Sequence, residues 1–245
     1  MSKVIVITGA GVGLGRALAR AFTADDHQLV LLGRTAAKVD AVAAELGDSA
    51  MAVGCDVSVP ESVRTAFAAI AERHSNIDVL INNAAIFEPF KLADGSDEQI
   101  MNMVTTNLAG PMLCAKAAIP MMQRDAHIIN ITSESVDMPM PHFSVYRSSK
   151  AGLEQLSKAL NLELEPDGIR VTNVRAGAMY EEGKSWDIDP AAGLAFHEAA
   201  TAAGINLAER PISQFQSVIG LFRTLIALPA DVHVDSVGLH ARSAK

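Results

Sequence analysis

The stretch KVIVITGAGVGLGRALAR, residues 3–20, decides how the rest of the chain is read. Val4 to Ile7 form a β-branched apolar run, the composition of a buried strand. At Thr8 the run breaks into Gly9, Gly11, Gly13 and Gly15, after which GRALAR opens a helix. Glycines at 9, 13 and 15 suit a strand that turns tightly into a helix while its backbone approaches a pyrophosphate. The helix N-terminus then offers free N–H groups and the positive end of its dipole to the phosphates. Thr8, Gly11 and Leu14 belong to the same turn and complete the expected cofactor cradle. A lone GxG is weak evidence, and a glycine-rich turn without a ligand is the competing reading. This one lies in the first strand-to-helix turn of an alternating chain, the context a dinucleotide fingerprint requires.

That alternation continues to the end of the chain. Segments 3–8, 28–32, 50–54, 77–81, 127–132, 169–174 and 233–239 read as buried strands. Their nearly continuous apolar character suits a parallel sheet covered on both faces. Between them lie helical patterns: Thr35 is placed to cap a helix ending at Gly47, and Ser58 with Pro60 opens another. From Ala151 to Leu164, Leu153, Leu156, Leu160 and Leu164 share one face. The predicted fold class is α/β, one doubly wound domain over residues 1–245 with a mostly parallel seven-stranded sheet and right-handed crossovers. Residues 176–211 lack a strand pattern and carry Gly183, Trp186, Pro190, Gly193 and Gly204. Such an excursion reads as a substrate-binding loop or lid, the alternative being a surface insertion.

Composition removes several function classes. A chain of 245 residues with 49% hydrophobic side chains buries a substantial core. The formal net charge of −8, without clustered Lys or Arg, argues against nucleic-acid binding. Cys55 and Cys114 stand alone, with no CxxC and no metal-type spacing, which favours a reducing, intracellular setting. The N-terminus lacks a signal-peptide pattern, and the longest uncharged stretch, 99–115, contains Asn102, Asn107, Gly110 and Pro111. A soluble cytoplasmic protein is the expectation. No GxSxG elbow and no HExxH motif occurs, so serine-hydrolase and zinc-hydrolase chemistry find no support.

A second stretch bears on chemistry. In HFSVYRSSKAG, residues 142–152, Tyr146 and Lys150 are one helical turn apart. Protonating the alkoxide left by carbonyl reduction needs an acid, yet an unperturbed tyrosine, pKa near ~10, exchanges its proton poorly at neutral pH. A neighbouring ammonium favours the phenolate and makes the exchange accessible. Ser133, at the end of the fifth strand, offers a hydroxyl to a substrate oxygen. Taken alone, Tyr146 and Lys150 read better as a surface pair, and Ser133 as an ordinary strand-end serine.

The TGxxxGxG spacing at 8–15, NNAA at 82–85, Ser133 and YRSSK at 146–150 occur in one order. In that combination the chain resembles the short-chain dehydrogenase/reductase family over nearly its whole length. The resemblance implies a Rossmann-type fold, an NAD(P) cofactor and a reaction between a carbonyl compound and its alcohol. It gives Tyr146 the role of general acid/base and Lys150 a second role on the nicotinamide ribose. It makes Asn107 the residue that fixes a water in a proton relay, the alternative being a polar residue at a helix irregularity. It sets Asp56 and Val57 beside the adenine, Asn83 and Ala84 along the adenosine ribose, and Met179 against the nicotinamide amide. At the end of the second strand Gly33 and Arg34 stand where an NAD enzyme keeps an acid. Arg34 pairs favourably with a 2′-phosphate, so NADP is expected over NAD; a merely solvated arginine is the alternative.

Departures from the family pattern are local. Ala85 replaces a glycine, and the usual PGxxxT reads AGAMYE, with Ala176 for the proline and Glu181 for the threonine. The C-terminus lacks the common VDGG, so a homodimer is nearly as plausible as the homotetramer frequent in the family. Met138, Met140, Phe143, Met179 and Trp186 suggest an apolar substrate. A dinucleotide-binding regulator or scaffold without turnover is the rival function, supported only by the altered PGxxxT segment.

Overall fold

The computed structural model describes residues 2–138, 140–180 and 188–243. Its strands are β1 (Val4–Thr8), β2 (Gln28–Gly33), β3 (Ala50–Gly54), β4 (Val79–Asn82), β5 (His127–Ser133), β6 (Arg170–Ala176), the two-residue β7 (Met179–Tyr180) and β8 (Ser213–Gln214), and β9 (Ser236–Gly238). Seven of them form one parallel sheet in the order β3-β2-β1-β4-β5-β6-β9. The helices are α1 (Gly13–Ala24), α2 (Ala36–Leu46), α3 (Pro60–Arg73), α4 (Asp97–Val104), α5 (Gly110–Ala118), α6 (Ser144–Leu164), α7 (Pro190–Ala202) and α8 (Phe215–Ala227).

Side-chain alternation along the strands builds two cores. Ile5, Ile7, Leu29, Leu31, Val79, Ile81, Ile129 and Ile131 face α1, α2 and α8, where Phe22 and Phe222 are fully buried. Val6, Val30, Leu32, Leu80 and Ile128 face the other way, onto α3, α5 and α6. Both sheet faces are thus covered, the reason the strands read as unbroken apolar runs. From β1 the order runs through β2 to β3 on one side and from β4 to β9 on the other. The carboxyl ends of β1 and β4 therefore form the switch point where a doubly wound sheet binds its ligands.

Several boundaries differ from the sequence expectation. β4 begins at Val79, and just ahead of it the Asp78 carboxylate accepts from the Val4 N–H at 2.7 Å. The last strand shrinks to Ser236–Gly238 at the sheet edge. Thr35 is the N-cap residue of α2, but its side chain makes no capping bond. Ser58 does not cap α3; Val59 does, with Pro60 at the first helical position. The Ser58 hydroxyl is drawn instead to the Asp56 carboxylate, at 2.6 Å, a stronger acceptor than a carbonyl. α6 starts at Ser144 rather than Ala151, so Tyr146 and Lys150 share a helix with the leucine face.

The described residues of 176–211, namely 176–180 and 188–211, carry more regular structure than their composition suggests. β7 pairs with β8, and Asp189 caps α7 by accepting from the N–H groups of Ala191 and Ala192. Pro190 takes the first helical position, Gly193 is carried inside the helix, and Gly204 turns the chain just beyond it with φ +76°. Glu181, Gly183 and Trp186 lie outside the described residues.

Candidate active site

A cavity of about 640 Å³ opens where the carboxyl ends of β1, β4 and β5 meet. Its phosphate end is the glycine turn. Gly9 has φ +67°, and a Cβ there would stand 2.9 Å from Ala84 Cα. A Cβ on Gly15 would stand 2.5 Å from the Gly9 carbonyl oxygen. Only glycine therefore lets the turn fold this tightly against the loop after β4. The cap residue of α1, Val12, contributes no side-chain bond, and the first turn holds no acid. The helix thus presents unanswered N–H groups and its positive end, and such an end fits a pyrophosphate. Thr8 stitches the turn in place: its Oγ1 accepts from the N–H groups of Asn83 and Ala84, both at 2.9 Å. Asn83 returns the contact by donating to the Thr8 carbonyl at 2.9 Å.

Gly33, Arg34, Thr35 and Lys38 line the far end with Asp56 and Val57. Arg34 and Lys38 are exposed, and neither side chain has a hydrogen-bond or ion-pair partner among the described residues. One Asp56 oxygen accepts from the Ser58 N–H and hydroxyl, which holds the carboxylate at the cavity edge.

The other end holds the polar constellation. Lys150 is 3% exposed and donates from Nζ to the Ile131 carbonyl at 2.8 Å. Its Nζ lies 6.0 Å from the centre of the Tyr146 ring. Burial pushes the Lys150 pKa down to about 8. Burial raises that of Tyr146, against a hydrogen bond from Ser133 that lowers it. Both groups are thus moved toward their neutral forms. Desolvation leads at both groups, and the group that lowers the phenol is Ser133 rather than the ammonium anticipated from the spacing.

Asn107 sits inside a π-helical turn, Thr105–Ala109, between α4 and α5. A single π-turn commonly marks a functional site. The amide is fully buried: its oxygen accepts from the Ile86 N–H at 2.8 Å, and its nitrogen donates to Ile86 O at 2.9 Å and Ser149 Oγ at 3.3 Å. Asn107 therefore pins the loop after β4 to the helix that carries Tyr146.

Of the sequence-predicted residues, Gly9, Gly11, Gly13, Leu14, Arg34, Asp56, Val57, Asn83 and Ala84 line the cavity at the cofactor end. Ser133, Tyr146, Lys150 and Met179 line it at the other. Thr8, Gly15 and Asn107 stand behind the wall and act through the backbone they hold. Met138, Met140 and Phe143 reach the wall as expected from an apolar pocket.

Other participants were not singled out from the sequence. Phe87 packs edge-on to both Phe143 and Tyr146, at 4.8 and 5.2 Å between ring centres. Phe196, from α7, stacks on Phe143 at 4.8 Å and 24°. Arg147 donates to the carbonyls of Ser135 (2.7 Å) and Val136 (3.0 Å), tying the turn that follows Ser133 to the helix of Tyr146. Its partners are backbone atoms brought near by folding, so residue spacing carries no trace of them. The Asp189-Pro190 pair ahead of an alanine-rich run was the available signal for α7 and hence for Phe196. Among the described residues no group of His, Cys, Asp and Glu is arranged to hold a metal ion. No described helix is long and apolar enough to cross a membrane.

A family model described as short chain dehydrogenase matches residues 3–185. A sepiapterin reductase of Chlorobaculum tepidum is 34% identical over 74% of this chain and 79% of the relative. A serine 3-dehydrogenase of Rhizobium radiobacter is 33% identical over 72% of each. Among solved structures, an alcohol dehydrogenase from the archaeon Thermococcus sibiricus, complexed with 5-hydroxy-NADP, superposes with a TM-score of 0.83 at 26% identity, covering 100% of both chains.

Proposed function

The chain belongs to the short-chain dehydrogenase/reductase family and is an NAD(P)-binding oxidoreductase, and from that premise we propose that it interconverts an apolar ketone or aldehyde and its alcohol with NADP(H). The observation that carries this reading is the meeting of Ser133, Tyr146 and Lys150 in the cavity whose opposite end is the glycine cradle. Bound there, the dinucleotide would supply or accept the hydride. The protein's own share is proton handling and placement. The Ser133 hydroxyl donates to the substrate oxygen, and the raised Tyr146 phenol keeps its proton at neutral pH until that oxygen gains negative charge. Lys150, fixed by Ile131, sets a cation or a ready donor beside the phenol.

Arg34 is expected to answer a 2′-phosphate, with Lys38 as a second cation four residues along. The absence of an acid at the end of β2 supports the same preference. The NADP-type ligand of the Thermococcus sibiricus structure is consistent with it. Phe87, Phe143, Phe196 and the three methionines support an apolar substrate. A soluble, cytoplasmic homodimer or homotetramer completes the proposal, and light scattering after gel filtration decides between the two assemblies.

Loss of reduced-nicotinamide absorbance against a panel of carbonyl compounds tests the reaction. Turnover of apolar ketones or aldehydes with kcat/KM higher for NADPH than for NADH is expected. Cofactor binding without turnover of any carbonyl compound would instead favour the non-catalytic rival.

A further inference from the structure

One acidic residue at this site serves no step described so far. Glu134 follows Ser133 directly and opens the turn Glu134–Val136. Its carboxylate is 11% exposed yet has partners from three separate parts of the chain. Arg210 Nη2 donates to Oε1 at 2.6 Å, and the Ala178 N–H donates to the same oxygen at 3.2 Å. His240 Nδ1 lies 3.0 Å from Oε2. A Cβ on Gly177 would stand 3.2 Å from Oε2, so the turn after β6 closes directly over this carboxylate. That turn is where the chain carries Ala176 instead of the family's proline, and the Glu134–Ala178 bond now fixes its backbone.

The Arg210 contact reaches further. Arg210 lies between α7 and β8, in the segment that supplies Phe196 to the cavity wall. Residues 188–214 touch the site through the Phe196–Phe143 stack, the Ser213 N–H donating to the Ala178 carbonyl at 3.0 Å, and the Arg210–Glu134 pair. The Arg210–Glu134 pair is one peptide bond from Ser133. On the other side of the same turn, Arg147 holds the Ser135 and Val136 carbonyls, and Arg175 pairs with Asp137. The turn is thus fixed from α6 and β6 irrespective of segment 188–214, and among the described residues Glu134 is its one ionic link to that segment.

We propose that Glu134 is a positioning residue, and that its pair with Arg210 holds segment 188–214 over the bound substrate while fixing Ser133 and the 177–178 backbone beneath it. This rests on the reductase reading of the site. Arg210 acts from the segment and Glu134 from both sides, so the two residues separate in kinetics. In Arg210→Met the KM for the carbonyl substrate should rise about tenfold, the scale of losing one charge-assisted hydrogen bond, with a smaller fall in kcat. In Glu134→Gln, kcat should fall as well, because the amide still accepts from Ala178 but no longer carries the charge that faces Arg210 and His240 beside Ser133.

The closing experiment pairs steady-state kinetics with hydrogen–deuterium exchange across Pro190–Ala202, using the full chain with NADPH. Faster exchange in α7 is expected for both single variants, whereas Arg210→Lys, which keeps the charge opposite Glu134, should retain most of the protection and a KM near the parent value. A KM and an α7 exchange unchanged in Arg210→Met would overturn the proposal. So would an Arg210→Lys variant as impaired as Arg210→Met, since the charge would then not be what holds the segment. If the parent protein reduces no carbonyl compound, the reductase reading fails while the exchange arm still judges the link.

Discussion

At Tyr146 and Lys150 the structure weighs two opposing effects on one proton. An ammonium near a phenol lowers the phenol's pKa, but removing both from water raises it and lowers that of the amine. Desolvation wins in this protein: the tyrosine is raised and the lysine is pushed down to about 8. A phenol held protonated suits donation to a nascent alkoxide, so the carbonyl-to-alcohol direction should be favoured at neutral pH. Replacing Tyr146 by Phe removes the donor and little else, since the ring contacts with Phe87 and Phe143 remain. Turnover should fall about 10²–10⁴-fold, with the NADPH Kd changed only slightly. Near-normal kcat in that variant would reject the assignment. At the opposite end, Arg34→Ala should cut the ratio of kcat/KM for NADPH over NADH by about tenfold, the value of one charge-assisted contact. An unchanged ratio would leave Arg34 as a solvated surface residue.

At the scale of elements, the turn from β1 into α1 is the most constrained part of the cofactor end. In Gly15→Ala the new methyl would meet the Gly9 carbonyl, a backbone atom that cannot swing away as a side-chain tip would. The turn must shift, and NADPH affinity should fall at least about tenfold, measured by titration calorimetry, while the sheet stays folded. A wild-type Kd would mean that the turn has more slack than its contacts indicate. This element was legible in the sequence because its chemistry is local: a strand, four glycines and a helix start lie within eighteen residues. The strands were legible for a related reason, since two covered faces leave little but Val, Ile and Leu in their interiors. α7 was not. Its glycine and its weakly segregated alanines mimic a loop, and Asp189 with Pro190 outweighs them only once the cap bonds form. Arg147, Glu134 and Arg210 were illegible for a different reason. Each works through a partner that only the folded chain brings near, two backbone carbonyls in one case and a residue 76 positions away in another.

For the molecule as a whole, the groups that the fold buries against their charge set how stability varies with pH. His127, at the start of β5, is 1% exposed and bonded to Thr172 Oγ1 at 2.7 Å. Burial lowers its pKa to about 3. Between about pH 6.5 and 3 the unfolded chain therefore binds a proton that the folded chain refuses, and stability falls as pH falls through that window. Lys150 acts with the same sign higher up: between about 8 and 10.5 the unfolded lysine is protonated and the folded one is not. Below pH 8 both forms carry the charge, so at neutral pH the native state bears the full cost of burying it, on the order of 1–3 kcal/mol after its bond to Ile131 is counted. Tyr146 opposes this only above about pH 10, where its raised pKa favours the unfolded phenolate. Lys150→Met should accordingly be inactive yet more stable in urea at pH 7, with the gain shrinking toward pH 10. His127→Asn should flatten the loss of stability between pH 6.5 and 4 and leave the alkaline limb unchanged. Equal urea midpoints for Lys150→Met and the parent at pH 7 would show that the Ile131 carbonyl already compensates the buried charge. Lys150 would then cost the fold nothing.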